Sequence, residues 1–314
     1  MMRAIVIDNG VSLRRDYPEP AMMPAESIVR VRIAGICGTD LELAKGYMGY
    51  RGIPGHEFVG EVVESANSAL LGRRVVGEIN AACGACRACA EGLGRHCPNR
   101  TVLGILGRDG AFADYLRLPE RNLIALPDSI PDELGVFVEP LAAAYEIFEQ
   151  IRIPKNRSVL VLGDGRLGAL VAMTLTAGGY DVVIGGHHPE RAQRLGIDVA
   201  REKDLNDRFD VVVGCTGSSS GFSRALELLR PRGTLILKST AAASADLNLA
   251  PVVINEITVL GSRCGRFAPA LDAMASGKID PRALISATLA LDDGLHAFDE
   301  AAKSSNFKIL LKVS

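Results

Sequence analysis

The sequence predicts an α/β protein of two domains, an irregular β-domain and a doubly wound parallel sheet. Up to about Pro127, short apolar runs are broken by Gly and Pro, which is the texture of an irregular β-domain. From Ser158 onward, unbroken apolar runs alternate with helix-patterned segments, as in a parallel sheet covered on both faces. The first of those runs ends in Gly163, Gly165 and Gly168.

In chain order, the strands expected in the first part are RAIVI, SIVRVRIAG, FVGEVVE, RRVVGEI, FADYLRLP and LIALP. Each is short and bounded by turn formers, with β-branched or alternating apolar residues. From about Ser129 the apolar spacing in PDELGVFVEPLAAAYEIFEQI changes to three and four, which predicts helix. SVLVLGDG, DVVIGG, DVVVGCTG and GTLILKS then read as buried strands, with ALVAMTLTAGG and FSRALELLR as the helices among them. The tail returns to mixed helix and strand in FAPALDAMASG, HAFDEAAK and FKILLKVS. There is no internal repeat, and the small polar stretches at 218–221 and 241–245 read as surface loops.

The 314 residues are 48% hydrophobic and 23% charged, with a formal charge of -2, which describes a globular chain long enough for a sizeable core. Without a basic run, neither nucleic acid nor an anionic membrane is expected as partner. Zero Trp and 5% aromatic residues also argue against base-stacking platforms. The N-terminal MMRAIVIDNG reads as a strand and lacks the apolar core of a signal peptide, and no run approaches a membrane span. Seven cysteines, four of them in one short cluster, point to metal in a reducing compartment, so a cytoplasmic protein is expected.

That cluster is CGACRACAEGLGRHC, which sets Cys83, Cys86, Cys89 and Cys97 at steps of three, three and eight. The spacing is that of a closed tetrahedral zinc site with no coordination position left for chemistry. Gly163, Gly165 and Gly168, with Arg166 and Leu167 inside the turn, lie directly after a buried strand and before a helical run. In that context they predict the phosphate turn of a Rossmann nucleotide site. An NAD site should then carry an acid about 20 residues on, at the end of the second strand. Here that strand ends without one: Asp181 stands at its start, and its tip carries His187 and His188, followed by Arg191 and Arg194. These would suit a 2′-phosphate. NADP is therefore expected ahead of NAD, with a solvated turn as the plain alternative.

A second metal is suggested by Cys37 in GICGTDLE, His56 and Glu57 in PGHEFVGEVVE, and Glu139 in VEPLA. Cys, His and a carboxylate can hold a catalytic zinc with one position open. Spacing alone leaves the plainer readings open, a buried structural Cys and a carboxylate favoured at a helix start.

Taken together and in this order, GICGTDLE, GHEFVGEVVE, the four-cysteine run, VEPLA and GxGxxG resemble the zinc-containing medium-chain dehydrogenase/reductase (alcohol dehydrogenase) family, in particular its sorbitol, threonine and glucose dehydrogenase branch. The resemblance covers nearly the whole chain. It implies a GroES-like catalytic domain over 1–143, with a structural-zinc lobe at about 80–100, a Rossmann coenzyme domain over 144–267, and a C-terminal return to the catalytic domain over 268–314. It also implies two zinc ions per chain. Cys37, His56 and Glu139 would hold the catalytic zinc, with Glu57 able to approach it, and Cys83, Cys86, Cys89 and Cys97 would hold the structural one. Thr39 would start the proton relay, and Cys215 and Thr216 would lie beside the nicotinamide, although Cys215 reads equally well as buried filler. The implied activity is hydride transfer between NAD(P) and a secondary alcohol or ketone of a polyol, sugar or amino-alcohol, in a homodimer or homotetramer. The rivals are a zinc-free quinone or enoyl reductase of the same superfamily and a non-catalytic nucleotide-binding zinc protein.

The chain departs from the family in carrying Glu42 where some members place a relay histidine, and in its shortened loop from Glu64 to Arg73. Tyr47, Tyr50 and Arg51, just ahead of PGHE, read as an exposed loop or as lining of the substrate cleft.

Overall fold

The computed structural model describes residues 1–188, 192–240 and 247–314. Among them the chain separates into two compact units, Met1–Glu139 with Leu284–Ser314, and Pro140–Ala283. The first division falls close to the boundary expected at 143, whereas the second unit runs on past 267 to Ala283. The helix Phe267–Ala275 accordingly lies in the second unit. Helical periodicity shows that such a segment has an apolar face but not which sheet it covers.

In the first unit β1 (Met2–Ile7) and β2 (Val11–Tyr17) form a hairpin. β3 (Glu26–Gly35) pairs antiparallel with β4 (Glu57–Ser65), which continues to β5 (Arg74–Gly77) and β9 (Leu123–Ala125). β6 (Asn80–Ala81) and β7 (Thr101–Val102) pair apart from that sheet, on either side of the cysteine run, and β8 (Tyr115–Pro119) pairs β3. Gly60 is required where β3 and β4 approach, because a Cβ there would stand 2.7 Å from Arg30 O.

The second unit is a six-stranded parallel sheet in the order β12-β11-β10-β13-β14-β15. Its strands are β10 (Val159–Leu162), β11 (Val182–Gly186), β12 (Asp198–Arg201), β13 (Phe209–Gly214), β14 (Leu229–Leu237) and β15 (Thr258–Gly261). The first strand is central and the order reverses beside it, so the carboxyl ends of β10 and β13 form the crevice where such sheets bind ligands. All four residues of β10 are buried, as expected of a strand covered on both faces. Leu160, Leu162, Val212, Leu226 and Leu235 belong to one apolar cluster of this unit.

β16 (Ile285–Ala290) and β17 (Lys308–Lys312) return the chain to the first unit, where β17 pairs antiparallel with β3 through Leu310 and Gly35. This returns Lys308 to the first sheet. No described helix is long and apolar enough to cross a membrane.

Candidate active site

The chain leaves β3 at Gly35 and enters the short helix Gly38–Ala44, with Cys37 at its N-cap. Asp40, in the first turn and fully buried, accepts the Cys37 backbone N–H at 2.8 Å through Oδ2 and the Gly55 N–H at 3.1 Å through Oδ1. The same Oδ1 lies 3.4 Å from His56 Nδ1, which leaves Nε2 as the outward nitrogen. One buried carboxylate therefore positions two segments that are well separated in sequence, the one carrying Cys37 and the one carrying His56. Burial disfavours the His56 imidazolium, but the charges of Asp40 and Cys37 outweigh it and hold this histidine well above its ordinary value.

Donor atoms of Cys37, His56 and Glu57 lie within 4.8 Å of one another, a separation that one metal ion can bridge. Glu57 is buried at the start of β4 and ion-paired to Lys308, itself 2% exposed and 5.8 Å from the centre of the Phe137 ring. Gly35 provides the room, since a Cβ there would meet Glu57 Oε2 at 2.8 Å. Glu139, in the first turn of the helix Val138–Gln150, lies outside this donor group, and its carboxylate makes no hydrogen bond among the described residues. Burial first, then the charges of Glu57 and Glu78, push its carboxyl up to about 7 against the opposing pull of His56 and Lys308. No described residue forms an ion pair with this carboxyl. Thr39 Oγ1 stands 3.8 Å from Cys37 Sγ, while Glu42 is engaged with Lys45 at 2.8 Å.

Sequence pattern alone does not single out Asp40 or Lys308. Asp40 is visible there as an acid at the capping-box distance from Cys37, a signal that reads as a helix cap and nothing more. Lys308 is only a lysine beside the apolar run of a strand. Tyr50 is neither cleft lining nor exposed loop: it is buried against Ile7 and Leu43, and its hydroxyl donates to Ile53 O at 2.5 Å.

The four clustered thiols meet the geometric test for zinc. Sulfurs about 2.3 Å from a tetrahedral zinc stand about 3.8 Å apart. Here Cys86–Cys89, Cys97–Cys83, Cys86–Cys97 and Cys83–Cys89 are 3.5, 3.5, 3.7 and 4.0 Å apart. Cys97 is fully buried and receives the Cys83 N–H at 3.4 Å; within the cluster the Ala85 backbone and the Cys97 thiol pull Cys83 down to about 6, whereas, against the pull of the Cys89 backbone, the neighbouring thiols push Cys86 up to about 11. Thiolates are what the metal requires.

In the second unit, Gly163 has φ 119°, and a Cβ on it would stand 2.8 Å from Cys215 C. A Cβ on Gly168 would fall on Gly163 O, so the helix Arg166–Ala177 can start this close to β10 only with glycine there. A Cβ on Gly165 would meet nothing. Nothing among the described residues demands glycine at 165, and open space before a helix N-terminus is where folds of this kind seat a pyrophosphate. Leu167 is half-buried in the first turn after it. Cys215 follows β13, and burial pushes its thiol up to about 12, so it is no nucleophile. Thr216 Oγ1 accepts the Ser218 N–H at 3.4 Å. His187 is exposed, with Nε2 3.4 Å from Glu202, and the His188 N–H donates to Asp164. Arg191 lies outside the described residues, and Arg166 is partly buried.

The sequence model of the family described as alcohol dehydrogenase GroES-like domain matches residues 23–128, and that of zinc-binding dehydrogenase matches 167–276. An L-threonine 3-dehydrogenase of Chelativorans sp. (strain BNC1) is 29% identical, over 99% of this chain and 98% of its own. A sorbitol dehydrogenase of Halalkalibacterium halodurans is 28% identical, over 95% and 94%. A Sinorhizobium meliloti 1021 protein described as a zinc-binding dehydrogenase, solved with NADP, superposes with a TM-score of 0.90 at 26% identity, covering 100% of this chain and 99% of its own.

Proposed function

This chain belongs to the zinc-containing medium-chain alcohol dehydrogenase family, and from that premise we propose that it oxidises a secondary alcohol of a polyol, sugar or amino-alcohol, or reduces the matching ketone, with zinc and NAD(P). The observation that carries the reading is the gathering of Cys37, His56 and Glu57 donors within 4.8 Å on the first unit, in a chain whose second unit leaves open space at Gly165 before a helix.

Cys37, His56 and Glu139 are the ligands we assign to the catalytic zinc. Glu57 is already committed to Lys308, whereas Glu139 carries a raised, unpaired carboxyl that a cation would stabilise. Zinc held there supplies a Lewis acid for the substrate oxygen, and the coenzyme a carbon that accepts hydride. The side chains do the rest. Asp40 fixes the His56 ring, and Lys308 keeps the Glu57 charge paired. The Thr39 hydroxyl takes the substrate proton and passes it toward solvent. Replacing Asp40 by Asn should lower the zinc affinity of this site by about 10–100-fold, as loss of a ligand's orienting carboxylate does elsewhere. Competition with a chromophoric chelator measures it; an unchanged affinity would remove Asp40 from this role.

The partners we propose are a small alcohol or ketone and further copies of this chain. Among the described residues β15 is the last strand of its sheet, with Val259 exposed, and nearby in sequence Val253 and Ile254 are 77% and 76% exposed. Such an edge needs cover. Light scattering should give a dimer or tetramer mass; a monomer at micromolar concentration would sink this. None of the seven cysteines forms a disulfide, which suits the reducing cytoplasm.

The deciding assay follows the reduced nicotinamide with polyols, aldoses, threonine and simple alcohols, using both coenzymes, alongside metal analysis. Two zinc per chain and turnover of a secondary alcohol are expected. A single tightly held zinc with no turnover would leave only a structural site.

A further inference from the structure

The end of β11 carries no acid, although that is where a sheet of this kind reads the adenosine ribose. The fold brings a carboxylate there by another route. Asp164, between the first two glycines of the phosphate turn, is only 7% exposed, and its Oδ2 accepts the His188 backbone N–H at 2.5 Å. Gly186 is the last residue of β11, and a Cβ built on it would overlap Cγ, Oδ2 and Cβ of Asp164 before meeting any other atom. The Asp164 side chain thus fills the volume that a residue at the end of β11 would occupy. Glycine at 186 is what admits it.

The remaining carboxylate oxygen, Oδ1, accepts no hydrogen bond among the described residues. A carboxylate held by one oxygen, with the other unengaged, is suited to a vicinal diol, whose two hydroxyls are donors. It is equally unsuited to a phosphate, which brings two negative charges. Nearby charge acts in the same sense, because His187, a group that could meet a 2′-phosphate, already faces Glu202 at 3.4 Å.

We propose that Asp164 binds the adenosine ribose hydroxyls of the coenzyme and excludes a 2′-phosphate, so that this chain prefers NAD(H) to NADP(H). The proposal rests on the coenzyme reading above and runs against the expectation drawn from His187, His188 and Arg191. The acid that usually ends the second strand is here supplied from the turn after the first.

Equilibrium binding of NADH and NADPH to the zinc-loaded protein, read from nicotinamide fluorescence, tests it. The wild type should bind NADH at least about tenfold tighter. Asp164→Asn keeps an acceptor for the His188 N–H but loses the charge, so it should bring the two affinities to within about threefold of each other with the melting temperature little changed. A double variant, Asp164→Gly with Gly186→Asp, moves the acid onto β11 and should restore the preference. A residue that only braced the turn would weaken both coenzymes alike and would not be rescued in this way. Tighter NADPH binding by the wild type, or an unchanged ratio in Asp164→Asn, overturns the proposal. If the single variant does not fold, the wild-type ratio and the double variant still decide. Binding of neither coenzyme would bring down the coenzyme reading itself.

Discussion

The wild type is expected to hold two zinc per chain and Cys37→Ser one, with turnover cut by roughly a thousandfold or more. The magnitude follows from losing a Lewis acid that contributes several kcal/mol, at tenfold in rate for each increment of about 1.4 kcal/mol. The fold should survive, because Cys37 is only half-buried and its backbone N–H donates to Asp40 whatever its side chain. Serine would keep that N–H. Metal analysis, thermal melting and turnover must be read together. Two zinc retained with full activity would remove Cys37 from the metal site, and collapse of the melting transition would show a structural role. The same site should take up zinc less readily as pH falls. His56 is held well above its ordinary value in the metal-free protein, and a ligating imidazole must be neutral, so binding has to expel that proton.

The second large effect belongs to Cys97. Its thiol is fully buried, 3.5 Å from Cys83 and 3.7 Å from Cys86. The lobe between β6 and β7 has little else to hold it: two short helical turns, Arg87–Ala90 and Gly94–His96, and no buried residue inside either. Structural zinc in small domains contributes about 10–16 kcal/mol of binding energy to folding. Even if a third of that reaches global stability, Cys97→Ser should lower the melting temperature by roughly ten degrees. A chelator should act in two stages. Activity goes first, from the site with an open position, and structure later, from the closed one. Loss of structure before activity would reverse the roles given to the two sites.

Much of this was legible in the sequence because it depends on local spacing. The steps from Cys83 to Cys97 bring four sulfurs together within one short stretch of chain. Three glycines between an apolar run and a helical run set the turn from β10 into its helix, and unbroken apolar strands announce a parallel sheet. Each of these constraints is settled by neighbours along the chain, so the residue string contains it.

What spacing could not settle depends on residues that meet only when strands pair. Glu57 meets Lys308 across 251 positions because β17 returns to lie against β3, the neighbour of β4. Asp40 was readable as a helix cap, but its approach to His56 follows from the packing of Gly55 on the same carboxylate. Asp164 and Gly186 belong to adjacent parallel strands and the turn that follows, and only the pairing of β10 with β11 shows that one fills the space left by the other. Fold class, family and sulfur cluster were thus fixed by local spacing and periodicity, which the order of residues carries in full. Which carboxylates are paired and which are left to act was decided by tertiary contacts, because charge pairing in a buried site depends on neighbours that the residue order does not contain.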